Sequence, residues 1–110
     1  MKMLIAAFFV LFAGTAAAAD AVWLDVRTVE EFNAGHLDGA LHLPHDQIEQ
    51  VTRLIPDKNT RVKLYCRSGR RSGLALQAMK QLGYTQLENA GAYQQLKAQQ
   101  KVQQEKPDGI

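Results

Sequence analysis

The chain alternates between short apolar runs and amphipathic stretches, after an opening block of a different kind. Leu4 to Ala13 is almost wholly apolar, with Met1-Lys2-Met3 before it and Ala16-Ala17-Ala18-Ala19-Asp20 behind it. A basic start, a short apolar core and a small-residue end are the three parts of a secretory signal. A membrane anchor would need roughly 20 apolar residues rather than about ten. The pattern therefore predicts a signal peptide over residues 1–19, cleaved after Ala19, with periplasmic delivery. No Leu-x-x-Cys arrangement lies near that point, which argues against a lipoprotein.

Beyond Asp20 the periodicity changes. Val22-Trp23-Leu24-Asp25-Val26 has β-branched and aromatic members and predicts a buried strand. Thr28-Val29-Glu30-Glu31 has the Thr-x-x-Glu form of a capping box, and Phe32 and Ala34 continue a brief helix to Gly35. Leu41-His42-Leu43-Pro44 predicts a second strand, stopped by a proline that has no N–H for a ladder. Asp46 to Glu49 opens a second helix with Ile48, Val51, Leu54 and Ile55 on its apolar side, and Pro56-Asp57-Lys58-Asn59 is a turn.

Val62-Lys63-Leu64-Tyr65 predicts a third strand. A helix starting near Ser72 follows, because Leu74, Ala75, Ala78, Met79 and Leu82 share one face and Gly83 suits the position past its end. Tyr84 to Asn89 predicts a last strand around Leu87, and Ala90-Gly91-Ala92-Tyr93 a turn into a final helix. From Gln94 onward Gln and Lys dominate, so this helix is expected to fray and residues 107–110 to form a flexible end. Strands alternating with helices predict an α/β layer fold with a mainly parallel sheet, in a single domain over residues 20–106. In such sheets, sites form outside the carboxyl ends of the strands.

The charge balance points the same way. The formal charge of the 110 residues is +2, and losing residues 1–19 removes Lys2 alone. Such near-neutrality argues against a broad nucleic-acid surface. The positive charge is concentrated in Cys66-Arg67-Ser68-Gly69-Arg70-Arg71-Ser72, directly after the third strand, around the only cysteine of the chain. A single cysteine in an exported chain suggests a free reactive thiol or an intermolecular bridge.

Cations and a following helix N-terminus both favour the thiolate, which is the nucleophilic form. A tight turn from Arg67 to Ser72 can aim backbone N–H groups at the sulfur, with Gly69 easing the turn and Ser72 as a helix cap. Arg70 and Arg71 add positive charge where the helix dipole is already positive, an arrangement that favours an anion. Phosphoester chemistry and sulfur transfer both suit such a nest. A cysteine-phosphatase loop needs Cys-x5-Arg, which would place arginine at position 72; Ser72 stands there and Arg71 comes one residue early. The shorter cradle suits a single sulfur atom better than a phosphoryl group and disfavours a phosphatase or arsenate reductase.

Leu24-Asp25-Val26-Arg27 with Glu31-Phe32, Gly35-His36-Leu37-Asp38-Gly39-Ala40-Leu41-His42-Leu43-Pro44, the Cys66–Ser72 loop and Asn89-Ala90-Gly91 form a set of motifs. In these the chain resembles the rhodanese-like (thiosulfate sulfurtransferase) family, most of all its small exported single-domain members. These pieces span nearly the whole mature chain in order. Ala92 stands where the family often has a second glycine, and Tyr93 is a partial substitute for a tryptophan. The resemblance implies a five-stranded, mainly parallel sheet flanked by helices. It also implies transfer of sulfane sulfur from thiosulfate to a thiophilic acceptor, such as cyanide or a thiol, through a persulfide on Cys66. A non-catalytic sulfur-carrier or binding module is the alternative.

Arg67, Ser68, Gly69, Arg70, Arg71 and Ser72 are then the substrate-binding candidates, with Arg67 and Arg71 facing inward and Arg70 at the rim. Asp25, Arg27 and His36 are expected to be structural, and Trp23 to pack. His42 and His45 have a spacing that suits a metal but lack a third ligand nearby, so neither metal nor cofactor is expected. The expected state is a monomer whose enclosing loop shields Cys66 from other thiols.

Overall fold

The computed structural model describes residues 20–105; the signal peptide assigned to residues 1–19 and the end at 107–110 lie outside the described residues. The strands are β1 (Val22–Asp25), β2 (Leu41–His42), β3 (Val62–Cys66) and β4 (Leu87–Ala92). All pair in parallel, in the order β2-β1-β3-β4. The helices are α1 (Val29–Ala34), α2 (Val51–Leu54), α3 (Arg70–Gln81) and α4 (Tyr93–Glu105), with a 3-10 segment, His45–Gln50, leading into α2.

The fold is the expected α/β domain with a parallel sheet, but among the described residues the sheet has four strands rather than five. The sequence itself contains four strand-like runs, and each becomes a strand.

The pleat divides the strands between two apolar layers, since successive side chains point to opposite faces. Val62, Leu64 and Cys66 join Leu24, Ala75, Met79 and Tyr84 in the larger cluster, under α2 and α3. Tyr65 points the other way, where it meets Leu37, Tyr93 and Leu96 under the start of α4. Trp23 packs edge-on against Tyr65, with ring centroids 6.4 Å apart.

Local chemistry accounts for the helix ends. The Thr28 hydroxyl accepts the Glu31 N–H at 3.2 Å and the Glu31 carboxylate accepts the Thr28 N–H at 3.0 Å, closing the capping box. Gly83, at φ 103°, follows the end of α3 as the spacing predicts. The segment from Asp46 is not one regular helix: it starts as a 3-10 turn and is interrupted at Gln47 (φ −122°, ψ 21°). This change of pitch keeps Ile48, Val51 and Ile55 buried but leaves Leu54 exposed.

β4 also runs three residues past Asn89, through the stretch expected to turn. Leu64 pairs with Asn89 and Tyr65 with Gly91, so Ala90 is an extra residue in a bulge. Gly91, at φ 97°, lets the strand absorb it and continue to Ala92.

Leu64 is fully buried in the central strand β3. Leu64→Ala is expected to lower the unfolding free energy by about 2–5 kcal/mol, measured by urea denaturation.

Candidate functional site

Cys66 is the last residue of β3 and is fully buried. The chain turns within three residues into α3, with Gly69 at the helix N-cap at φ 99°, a conformation that favours glycine. A Cβ on Gly69 would stand 3.5 Å from the Gly91 Cα, so the loop also lies close against β4.

The turn carries donors to the sulfur. The Gly69 N–H donates to Sγ at 3.0 Å, the Ser72 N–H at 3.4 Å, and the Ser72 hydroxyl lies 3.5 Å away. Burial pushes the Cys66 thiol up, but the Ser72 hydroxyl and the amides of Ser72, Ser68 and Gly69 together outweigh it, so the net shift is downward, toward the thiolate.

The expected inward-facing turn therefore forms, with two changes. The helix begins at Arg70, so Ser72 is not its cap; it is fully buried in the first turn. There its hydroxyl sits between Cys66 and Asn89, whose Oδ1 lies 2.7 Å away. Arg71, expected to face inward, is committed to Glu31 by a two-pronged ion pair of 2.8 and 3.1 Å. The carboxylate that closes the α1 capping box thus also ties α1 to α3. Arg67 and Arg70 are exposed.

A buried ion pair stands beyond β1. Arg27 Nη2 donates to Asp25 Oδ2 at 2.6 Å and to the Gly35 carbonyl at 2.7 Å, and its guanidinium lies 4.2 Å from the centroid of the Tyr93 ring. Asp25 is fully buried and accepts the Arg27 N–H as well, at 2.9 Å. The structural role expected for both residues is what this geometry provides. Tyr93, the partial substitute for tryptophan, supplies the face on which Arg27 rests.

The Nδ1 atom of His36 lies 2.8 Å from the Phe32 carbonyl oxygen, and its ring stacks on Phe32. The Nε2 atom of His42 lies 2.8 Å from the Arg27 carbonyl oxygen, and its ring stacks on the Phe32 ring as well. Both histidines thus brace the segment between α1 and β2. No group of three His, Cys, Asp or Glu residues placed to hold a metal occurs among the described residues.

Beside the loop opens a cleft of about 440 Å³, lined among others by Arg27, Glu31, Gly35, Arg67, Tyr93 and Lys97. Reading the sequence alone missed the part of Glu31 beyond its cap, the place of Lys97 on this cleft and the contact of Asn89 with Ser72. The Asn-x-Gly spacing of Asn89 and Gly91 was a usable signal for the last, since an asparagine oxygen readily accepts the N–H two residues on.

The family model of the rhodanese-like domain matches residues 12–99. The chain belongs to the rhodanese-like family. The thiosulfate sulfurtransferase PspE of Escherichia coli (strain K12) is 43% identical over 70 residues, covering 63% of this chain and 67% of that protein. The putative sulfur carrier protein YrkF of Bacillus subtilis (strain 168) is 35% identical over 66 residues, covering 60% of this chain and only 35% of that longer protein. Among solved structures, a rhodanese with anions from E. coli is 39% identical, with a TM-score of 0.65, covering 68% of this chain and 89% of that one. These relatives support a sulfurtransferase role for the chain.

Arg71 holds the Glu31 carboxyl down from its ordinary 4.5 to about 2. A carboxyl depressed in the folded state adds stability above its unfolded pKa, and that stability is lost as pH falls toward the folded value. Glu31→Gln is therefore expected to destabilise the protein at neutral pH and to flatten the loss of stability between pH 4.5 and 2, read from denaturation midpoints across that range.

Proposed function

We propose that the chain transfers sulfane sulfur from thiosulfate to a thiophilic acceptor through a persulfide on Cys66. The observation that carries this reading is the buried Cys66 sulfur, enclosed at the carboxyl end of a parallel strand by inward N–H groups. A nucleophile held there is stabilised as an anion without a neighbouring base.

In the first step the Cys66 thiolate attacks the outer sulfur of thiosulfate. A sulfur–sulfur bond forms to Sγ, the bond to the sulfonate sulfur breaks, and sulfite leaves with the electron pair. The negative charge then rests on the outer sulfur of the persulfide, where the loop amides can accept it. In the second step cyanide or a thiolate attacks that sulfur and the Cys66 thiolate is regenerated. Arg67, exposed and on the cleft, is placed to attract the donor dianion. Arg71 contributes its charge from the Glu31 pair, and Arg70 acts from the start of α3. Ser68, Gly69 and Ser72 hold the anion through backbone N–H groups, and the Ser72 hydroxyl adds to them while the charge is on Sγ.

A non-catalytic sulfur-carrier or binding module is the second reading, supported by the full burial of Cys66, which would shield a stored persulfide from solvent. The chain is read as working in the periplasm after export, on the strength of Met1 to Ala19, and its expected state is a monomer. Among the described residues no helix is long and apolar enough to cross a membrane.

Thiosulfate treatment is expected to add the mass of one sulfur atom to the protein, and cyanide to remove it with catalytic turnover; Cys66→Ala should show neither. Loading without turnover would select the carrier reading, and no loading at all would exclude both. The enclosing loop should also keep Cys66 from pairing with another copy, so a non-reducing gel of air-exposed protein is expected to show monomer.

A further inference from the structure

The Ser72 hydroxyl has more acceptors than protons. Its oxygen lies 2.7 Å from Asn89 Oδ1, 3.1 Å from the Gly69 carbonyl oxygen and 3.5 Å from Cys66 Sγ. A hydroxyl donates once, so these three compete for it. Sulfur has the larger radius, so its longer distance is still a working contact.

Asn89 cannot withdraw its oxygen from this competition. The Gly91 N–H donates to Oδ1 at 3.1 Å and Nδ2 donates to the Gly69 carbonyl at 3.0 Å. Turning the amide over would set donor against donor and acceptor against acceptor, so two backbone groups keep the oxygen facing Ser72. The bulge of β4 supplies that geometry, because the extra residue Ala90 and the positive φ of Gly91 bring the Gly91 N–H back to the Asn89 side chain. Gly73 leaves the room: a Cβ there would stand 3.3 Å from Asn89 Nδ2.

We propose that Asn89 is a positioning residue for Cys66, acting through the Ser72 hydroxyl: its Oδ1 accepts the hydroxyl's hydrogen bond when Sγ is uncharged and gives it up to Sγ when Sγ is a thiolate. Asn89 therefore sets how strongly the thiolate is stabilised, and with it the nucleophilicity of Cys66. When the sulfur carries a second sulfur, the charge moves outward and the hydroxyl turns back to Asn89. The two steps of transfer thus alternate one hydrogen bond between two acceptors, with no proton gained or lost. This inference rests on the reading of Cys66 as the nucleophile. Among the described residues the charged groups at this end of the sheet are Arg67 in the loop, Arg70 and Arg71 on α3, Glu31 on α1, Lys97 on α4 and the Asp25–Arg27 pair beyond β1; the test changes none of them.

The test is a double-mutant cycle read on the Cys66 pKa, from the ultraviolet absorbance of its thiolate against pH. Because Cys66 is the only cysteine, the thiolate signal belongs to it alone. Ser72→Ala is expected to raise the pKa. Asn89→Leu, close in size and without an acceptor, is expected to lower it by roughly half a unit, a fraction of a charge-assisted hydrogen bond. In the Ser72→Ala background the same substitution should change nothing. An equal shift in both backgrounds would show that Asn89 merely braces the loop, and no shift or a rise with Ser72 present would equally overturn the proposal. Circular dichroism checks that the variants fold, and Asn89→Ala repeats the comparison with a smaller side chain. The pH profile of Cys66 alkylation by iodoacetamide gives a second measure. None of these readouts requires sulfur transfer, so they decide the role of Asn89 whether or not the persulfide test succeeds.

Discussion

A charged sulfur has to be accommodated at the buried end of a strand, and that requirement organises this end of the molecule. Desolvation alone disfavours a thiolate at Cys66, and it is offset only because the next residues turn their N–H groups back toward the sulfur. That turn is possible because Gly69 takes a left-handed conformation and, lacking a side chain, lies against Gly91. It is completed by the early start of α3, which places the N–H and hydroxyl of Ser72 on the sulfur. The strand, the glycine, the helix start and the bulge in β4 therefore form one constraint rather than four independent features.

A second layer of interactions holds the surroundings in place. On the opposite face of the sheet, Arg27 joins Asp25, the Gly35 carbonyl and the Tyr93 ring, linking the end of β1 to the end of α1 and the start of α4. A buried pair of this kind contributes little net stability compared with a well-packed apolar substitute, but removing one partner leaves the other charge stranded. Glu31 plays a comparable part at the surface, capping α1 and gripping Arg71. The cost is that Arg71 is less free to meet a substrate than its place in the loop suggests, which leaves Arg67 as the exposed cation of the loop that lines the cleft.

Much of this was legible from residue order. The Thr28–Glu31 box, the strand delivering Cys66 and Gly83 past the end of α3 all follow from interactions spanning a few residues, and each took its expected form; the expected face of α3 holds at Ala75 and Met79, which are buried, but not at Leu74, which is exposed. Errors arose where the outcome depends on distant partners. Ser72 has the chemistry of a cap, yet became a buried donor because Cys66 and Asn89 lie on either side of it. Ala90-Gly91-Ala92 has the composition of a turn, yet stayed in the sheet because β3 offered a partner for each residue but one. The fifth strand came only from family resemblance, and no run of residues from Asp20 onward stood behind it.

By itself the sequence determined the class of fold, the position of the nucleophile candidate and the size of its cradle. These are matters of periodicity and spacing, set by 3.6- and 2-residue repeats and by the count from Cys66 to Arg71. The tertiary structure alone decided which polar groups face one another: Arg71 toward Glu31, Arg27 toward Tyr93, and Ser72 shared between Cys66 and Asn89. The physical reason is range. Backbone preferences act between neighbours, whereas the orientation of a hydroxyl or a guanidinium depends on whichever acceptor the folded chain brings within about 3 Å, and Ser72 and Asn89 meet only when β4 docks beside β3.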